Sequence, residues 1–310
     1  RTLGNELAAE SEESAVVAAR ELHRICFATR DRYYRLPLSQ LRRALRTITQ
    51  ADLQALHARL HSRPWTVSLT GPDAAERASS RLLNRLRQET PVTPGAKPPT
   101  LRQDYTRTLS LHDIPSRQNI DFSIGLPLPL TLTDEAYTPF LFGSLVLGKP
   151  GGFAGRLMQT IRERDGYTYG IYASPEYCSK QGTGLWRLRT FFHPASSHAA
   201  LQATFTEISR LHQRGITPAE HERFRAILAT NEQLLHDSPH LYLRELHRFH
   251  TLGLTPDERA ELFNQLQQVT RTAVNQALRQ YLDPTQLSVA GAGPVATVRP
   301  VLHDWFASMA

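Results

Sequence analysis

Apolar positions in the first thirty residues recur at helical spacing: Leu7, Val16, Val17, Leu22 and Ile25 stand among small and charged neighbours, which predicts a helix over 5–29. A second helix is predicted over 49–61, with Thr49 as N-cap and Asp52 in the first turn. The period then changes. "WTVSLTG" (65–71) alternates and stops at a glycine, as a strand does, and "VTPGAKPPT" (92–100) carries neither period and reads as a linker.

Beyond it, "YTRTLSL" (105–111) and "NIDFSIGLPL" (119–128) predict two strands paired with each other, followed by a helix from Asp134 to about Leu147. In "GGFAGRLMQTIRERDGYTYG" (151–170) a glycine pair precedes an amphipathic helix over 153–164, which Gly166 ends. Strands are predicted at 169–177 and 184–192, then mainly helix, then a last strand in "TQLSVAGAG" (285–293).

The pattern repeats. "ITQADLQALHARLHSRPWTVSLTG" (48–71) aligns with "VTRTAVNQALRQYLDPTQLSVAG" (269–291): threonine N-cap, amphipathic helix, short break, strand, glycine. "ELHR" occurs at 21–24 and again at 245–248. Residues 1–75 therefore read as the back third of a first unit, 76–100 as a linker, and 101–310 as a complete second unit. The remainder of the first unit is expected upstream or in a separate chain, in keeping with a sequence that starts at Arg1.

The length, 310 residues, suits two domains, and 40% hydrophobic with 21% charged residues is globular. No apolar run approaches the roughly 18 residues of a membrane helix, so no membrane span is expected, and a soluble protein of cytoplasm or periplasm is. The net charge is +7, but only Lys97, Lys149 and Lys180 are lysines, and the arginines are interleaved with acids, as in Arg162-Glu163-Arg164-Asp165. Nucleic-acid binding, which favours a basic stripe or tail, is not expected. Cys26 and Cys178 are the two cysteines, expected as buried free thiols, with one long-range disulfide as the alternative.

There is no Gly-x-Ser-x-Gly elbow, and "GKPGG" (148–152) lacks the residue order of a phosphate loop. His57 and His61 share a helix face, but Leu60 stands where a carboxylate would be needed to activate water. His247 with His250, and His236 with His240, have no evident third ligand. In the 151–170 segment Arg162 falls at a helix end and Tyr169 at a strand entry. Taken as residues alone, these are either a functional pair or an exposed arginine and a packed tyrosine.

"LVLGKPGGFAGRLMQTIRERDGYTYGIYAS" (145–174) closely resembles the glycine-rich, Arg/Tyr-bearing segment of the pitrilysin-type (M16) zinc metallopeptidases, in particular the short bacterial branch akin to mitochondrial processing peptidase. Leu147, Gly148, Gly151, Gly152, Phe153, Arg156, Leu157, Ile161, Arg162, Glu163, Gly166 and Tyr169 occupy matching positions. The resemblance implies an α+β fold of M16 (LuxS/MPP-like) units, each an antiparallel-rich sheet covered by helices, with one complete unit here and the back third of another. It implies a heterodimer-like clamshell in which Tyr169 helps stabilise an oxyanion and Arg162 binds a substrate carbonyl. Gly151, Gly152 and Phe153 then belong to a loop facing a peptide substrate, although Lys149-Pro150 interrupts the usual glycine run.

The catalytic zinc belongs to the assembled enzyme. No His-x-x-Glu-His occurs in the chain, so no zinc is expected on it alone, nor activity without a zinc-bearing M16 unit. By the same resemblance the third zinc ligand falls near the start of the chain, at Glu6, with Glu10 and Glu13 as weaker candidates. The function implied is the substrate-clamping part of a peptidase acting on unfolded peptides in a closed chamber. The alternative is a catalytically inactive M16-like scaffold, as in the core subunits of the respiratory bc1 complex.

Overall fold

A computed structural model describes residues 2–61, 66–71, 77, 79–81, 83–84, 101–148 and 152–309. Within the expected linker, 77, 79–81, 83 and 84 are helical, and the rest lies outside the described residues.

The chain opens with helices α1 (Thr2–Glu12), α2 (Ser14–Cys26), α3 (Leu38–Leu45) and α4 (Gln50–His61). The single helix expected over 5–29 is broken at Glu13, whose backbone is extended (φ −79°, ψ 98°). Arg117 holds the break: its guanidinium bonds the Glu12 carbonyl at 2.5 Å and pairs with the Glu13 carboxylate at 2.8 Å. The Thr49 cap is as expected, with Asp52 accepting from the Thr49 amide at 2.8 Å while its own amide donates to Thr49 Oγ1 at 3.3 Å. Of the strand expected at 65–71, residue 65 lies outside the described residues and 66–71 join no sheet among them. Alternation supplies a strand's faces but not the ladder partner that satisfies its backbone.

Among the described residues five strands build one sheet: β1 (Leu109–Asp113), β2 (Ile120–Leu128), β3 (Ile171–Glu176), β4 (Gly184–Phe192) and β5 (Ser288–Gly293). Their order is β1-β5-β2-β4-β3, with β1 parallel to β5 and every other ladder antiparallel. The expected pairing of β1 with β2 is therefore corrected: β5 lies between them. Size explains the insertion. A Cβ at Gly291 would stand 2.8 Å from Leu111 Cδ2 and 2.9 Å from Phe122 Cε1, so only glycine lets both neighbours close over β5.

One face of the sheet carries the main core. α5 (Tyr137–Gly148) lies there against α10 (Arg271–Tyr281), the two brought together at Gly143, where a Cβ would meet Leu278 at 2.7 Å. Trp186 is fully buried on this face, its indole N–H satisfied by Ser144 Oγ at 2.8 Å. Helices α6 (Ser197–Arg214), α7 (Pro218–His236), α8 (Pro239–Thr251), α9 (Pro256–Gln268) and α11 (Arg299–Ser308) complete the layer. Thr217 with Glu220 and Thr255 with Glu258 form capping boxes at the starts of α7 and α9.

The opposite face is covered by α2. It runs beside β2 with Ser14 bonded to Asp121 (2.5 Å) and Leu22 pressed against Gly125, where a Cβ would be 3.2 Å from Leu22 Cδ2. A helix from the first part of the chain thus completes the sheet of the second.

Candidate functional site

The Arg/Tyr segment begins where α5 ends. Gly148 abuts β3: a Cβ would stand 2.9 Å from the Ala173 amide nitrogen and 3.2 Å from Leu157. Gly155 packs back on the same turn, its Cβ position 3.0 Å from the Leu147 carbonyl. These two glycines of the segment permit close packing of backbone on backbone. Gly151, with Lys149 and Pro150, lies outside the described residues. Gly152 is half-buried and Phe153 is 61% exposed.

The helix expected over 153–164 is shorter and of another kind. After one α-helical step at Arg156 and Leu157 it continues as a π-helix, Met158–Arg164. Thr160 Oγ1 donates back to the Arg156 carbonyl at 2.8 Å, and the Asp165 amide reaches the Thr160 carbonyl at 3.0 Å, five residues away. Arg156 anchors the segment, with a two-pronged contact to Glu220 (2.5 and 2.7 Å) and a bond to the Gly215 carbonyl at 2.9 Å. Gly166, at φ +68°, ends it as expected.

Arg162 projects half-buried from the last turn, its guanidinium 4.7 Å from the centroid of the Phe153 ring. Among the described residues it makes no ion pair. Tyr169 is 82% exposed, so it is not a packed tyrosine. Tyr167 and Tyr172, on either side, pack against the core instead. Tyr169 is presented outward because its neighbours are fixed. Buried Thr168 accepts from the Gly170 amide (3.3 Å), and Thr190 Oγ1 donates to the Gly170 carbonyl (3.1 Å). The two candidates thus stand on either side of one ordered turn, each on an anchored support.

The candidate metal ligands are not brought together. Glu6 is exposed on α1, Glu10 is paired with Arg20 at 2.6 Å and Glu13 with Arg117. Among the described residues no three His, Cys, Asp or Glu side chains are grouped as a metal site. His247 instead bonds Ser68 Oγ at 2.9 Å, His236 lies 3.2 Å from Glu232, and the His61 side chain lies outside the described set. This donor set does not fit a catalytic zinc, and no chemical step is assigned through one. Cys26 and Cys178 are buried and free, and burial pushes both thiols up, Cys178 to about 12, so neither is a ready nucleophile.

Two polar groups on α2 escape a reading of motifs. Glu21 is 8% exposed; burial works to raise its pKa, but His112, Arg24 and Ser110 outweigh it and hold the carboxyl at about 2. His23 is 3% exposed within rings of Phe27 and Tyr177, and burial with nearby Arg187 lowers it to about 4. Both belong to the repeated "ELHR", the one signal that marked them. Its second copy reproduces the ion pair, Glu245 with Arg248 at 2.8 Å, against Glu21 with Arg24 at 2.6 Å.

Residues 47–228, more than half of the chain, match the family described as peptidase M16 inactive domain. A curated relative, the non-peptidase homolog YmxG of Helicobacter pylori, is 24% identical over 145 residues, covering 47% of this chain and 33% of that protein. The chain thus matches about a third of that relative's length. A peptidase M16 inactive domain from Pseudomonas fluorescens superposes with a TM-score of 0.74 at 19% identity, over 94% of this chain and 70% of that one. A chain of complex III2 from Candida albicans (Inz-5 bound) gives 0.68 at 13% identity, over 96% and 71%. At these identities the structural matches speak for the fold.

Proposed function

The chain belongs to the peptidase M16 inactive domain family, and from that premise we propose that it holds an extended peptide for a zinc-bearing M16 unit supplied upstream or by a partner chain. Tyr169 carries this reading. A tyrosine 82% exposed, on backbone pinned at both neighbours, contributes little to the fold. It is suited to donate a hydrogen bond to a substrate oxygen, and a fixed donor aimed at developing charge is a large catalytic effect.

Arg162 adds a cation steadied by an aromatic face, left available for a peptide carbonyl. Phe153 lies beside it, and Gly152 and Gly151 are assigned to the same loop by position. The division into a partial first unit (1–75), a linker (76–100) and a second unit (101–310) belongs to this proposal, as does Glu6 as a ligand completed from outside the chain. No helix among the described residues is long and apolar enough to cross a membrane.

A second reading has its own support: an M16-like scaffold without peptidase activity, favoured by a relative described as a non-peptidase homolog. The two part on one experiment, titration of the full chain with an unstructured, uncharged dodecapeptide followed by Arg and Tyr resonances. The clamp predicts binding that Tyr169→Phe and Arg162→Gln each weaken severalfold without changing Tm. Absence of binding, or indifference to both substitutions, leaves the scaffold.

A further inference from the structure

Between α2 and the edge strand β3, on the sheet face away from the main core, lies a cavity of about 260 Å³. Its floor is Ser123 of β2 with Arg187 and Arg189 of β4; Tyr172 of β3 stands on one side, Ala15 and Ala19 of α2 on the other. Side-chain size creates it. One turn further along α2, Leu22 closes onto Gly125, whereas Ala15 and Ala19 offer only methyl groups and leave the space open.

The cavity is polar where the helix leaves it empty. Ser123 is 3% exposed and its hydroxyl has no hydrogen-bond partner among the described residues; the Nε of Arg187 is buried too, 3.2 Å from Glu176. Buried donors are nearly always satisfied, so an unbonded hydroxyl lining a cavity marks a place for an acceptor. Arg189 is exposed and makes no ion pair among the described residues; its guanidinium lies 5.6 Å from the Tyr172 ring centroid. Two acids lie close by: Asp121, itself in the lining, accepts from Ser14 at 2.5 Å, and Glu176, outside the lining, forms an ion pair with Arg187 at 3.2 Å, so that Arg189 is the cation of the cavity left without an ion pair among the described residues.

A ligand that accepts from a hydroxyl and guanidinium groups and carries negative charge is an oxyanion, and on an unmodified peptide that oxyanion is a carboxylate. Gly170 also lines the cavity and is the residue next to Tyr169, which puts the cavity one residue along the chain from the proposed clamp. We infer that this cavity is a carboxylate subsite of the peptide groove, taking the Asp or Glu side chain of a peptide held by Arg162 and Tyr169. The inference rests on the clamp reading and gives its substrate a class: acidic, extended peptides.

The test is a titration of the full chain with three amidated, acetylated dodecapeptides that differ at one central residue, Glu, Gln or Lys, with succinate as a free carboxylate. The Glu peptide is expected to bind roughly tenfold tighter than the Gln peptide. That preference should vanish in Arg189→Gln, which removes an exposed charge, and in Ala19→Leu, which fills the space and leaves every charge in place. Thermal melts check that both variants fold, and Arg189→Gln keeps the test decisive if the fuller helix does not. Equal binding of the Glu and Gln peptides overturns the subsite and leaves the clamp. Succinate binding as tightly as the Glu peptide overturns it in favour of a small-anion site. No binding by any peptide overturns both.

Discussion

The guanidinium of Arg162 lies 4.7 Å from the centroid of the Phe153 ring, so an aromatic face, not a carboxylate, holds the cation of the candidate clamp. Such a contact adds about 0.5–1 kcal/mol at an exposed site and leaves the N–H groups free to donate. Phe153→Leu should therefore leave Tm within about 2 °C, since the ring is 61% exposed, yet weaken peptide binding by roughly threefold. Unchanged peptide affinity in this variant would mean that the ring does not position Arg162.

Gly148 tests the structural share of the glycine-rich segment. A Cβ there meets the Ala173 amide nitrogen at 2.9 Å, and backbone on β3 cannot swing aside as a flexible side chain can. Gly148→Ala is expected to cost about 1–3 kcal/mol. Gly4→Ala, with nothing within 4 Å of the added methyl, should be neutral or stabilise α1 by up to about 1 kcal/mol. Chemical denaturation of both variants decides it; a silent Gly148→Ala would show that α5 and β3 can part without cost.

How much of this was legible depended on where the determining partner lay. β4 falls at 184–192 as the alternation indicates, because its signal is its own sequence. The Thr49–Asp52 cap was likewise a matter of neighbours. The β1–β5 pairing was hidden because the fit at Gly291 is made by Leu111 and Phe122, residues more than a hundred positions away. The break at Glu13 was hidden for the same reason: Arg117 makes it. In the site, the Arg162 and Tyr169 positions came from motif resemblance, whereas the exposure of Tyr169 required Thr168 and Thr190 to be seen pinning Gly170. The π-helix had no signal in residue spacing, since its bonds skip one residue more than the α pattern.

Acid should weaken the α2–sheet junction in two successive, slightly overlapping windows. His23 is held neutral in the fold, with its pKa lowered to about 4 from a model-compound value of 6.5. Between these values the unfolded chain takes up a proton that the folded one refuses, so stability is complete above pH 6.5 and declines as pH falls to 4. The loss is on the order of 3 kcal/mol, and His23→Leu should flatten this stretch of the curve. Glu21, lowered from 4.5 to about 2, contributes stability above pH 4.5 that is lost as pH falls towards 2, and Glu21→Gln should remove only that lower step. Denaturant midpoints measured from pH 7 to pH 2.5 separate the two; an unaltered slope from 6.5 to 4 in His23→Leu would show that the imidazole is not the responsible group.

The same helix pattern meets two fates in this chain, and the difference predicts where a partner binds. Leu53, Leu56 and Leu60 form one stripe on α4 and are 58%, 48% and 52% exposed. In the aligned repeat their places are taken by Val274 and Ala277, 0% and 4% exposed, and by half-buried Tyr281, which packs near Phe140 of α5. α10 is covered by α5, whereas α4 has no equivalent cover among the described residues. A three-leucine stripe in water favours burial by about 1.5–3 kcal/mol per side chain, and under the proposed function the zinc-bearing unit would cover it. Leu53→Glu with Leu56→Glu should leave the melting of the sheet unchanged, while Val274→Glu, which buries an unpaired carboxylate, should unfold it. In sedimentation with the zinc-bearing unit the α4 double variant should lose roughly tenfold or more in affinity. If it instead melts early on its own, α4 is packed within this chain and the partner must bind elsewhere.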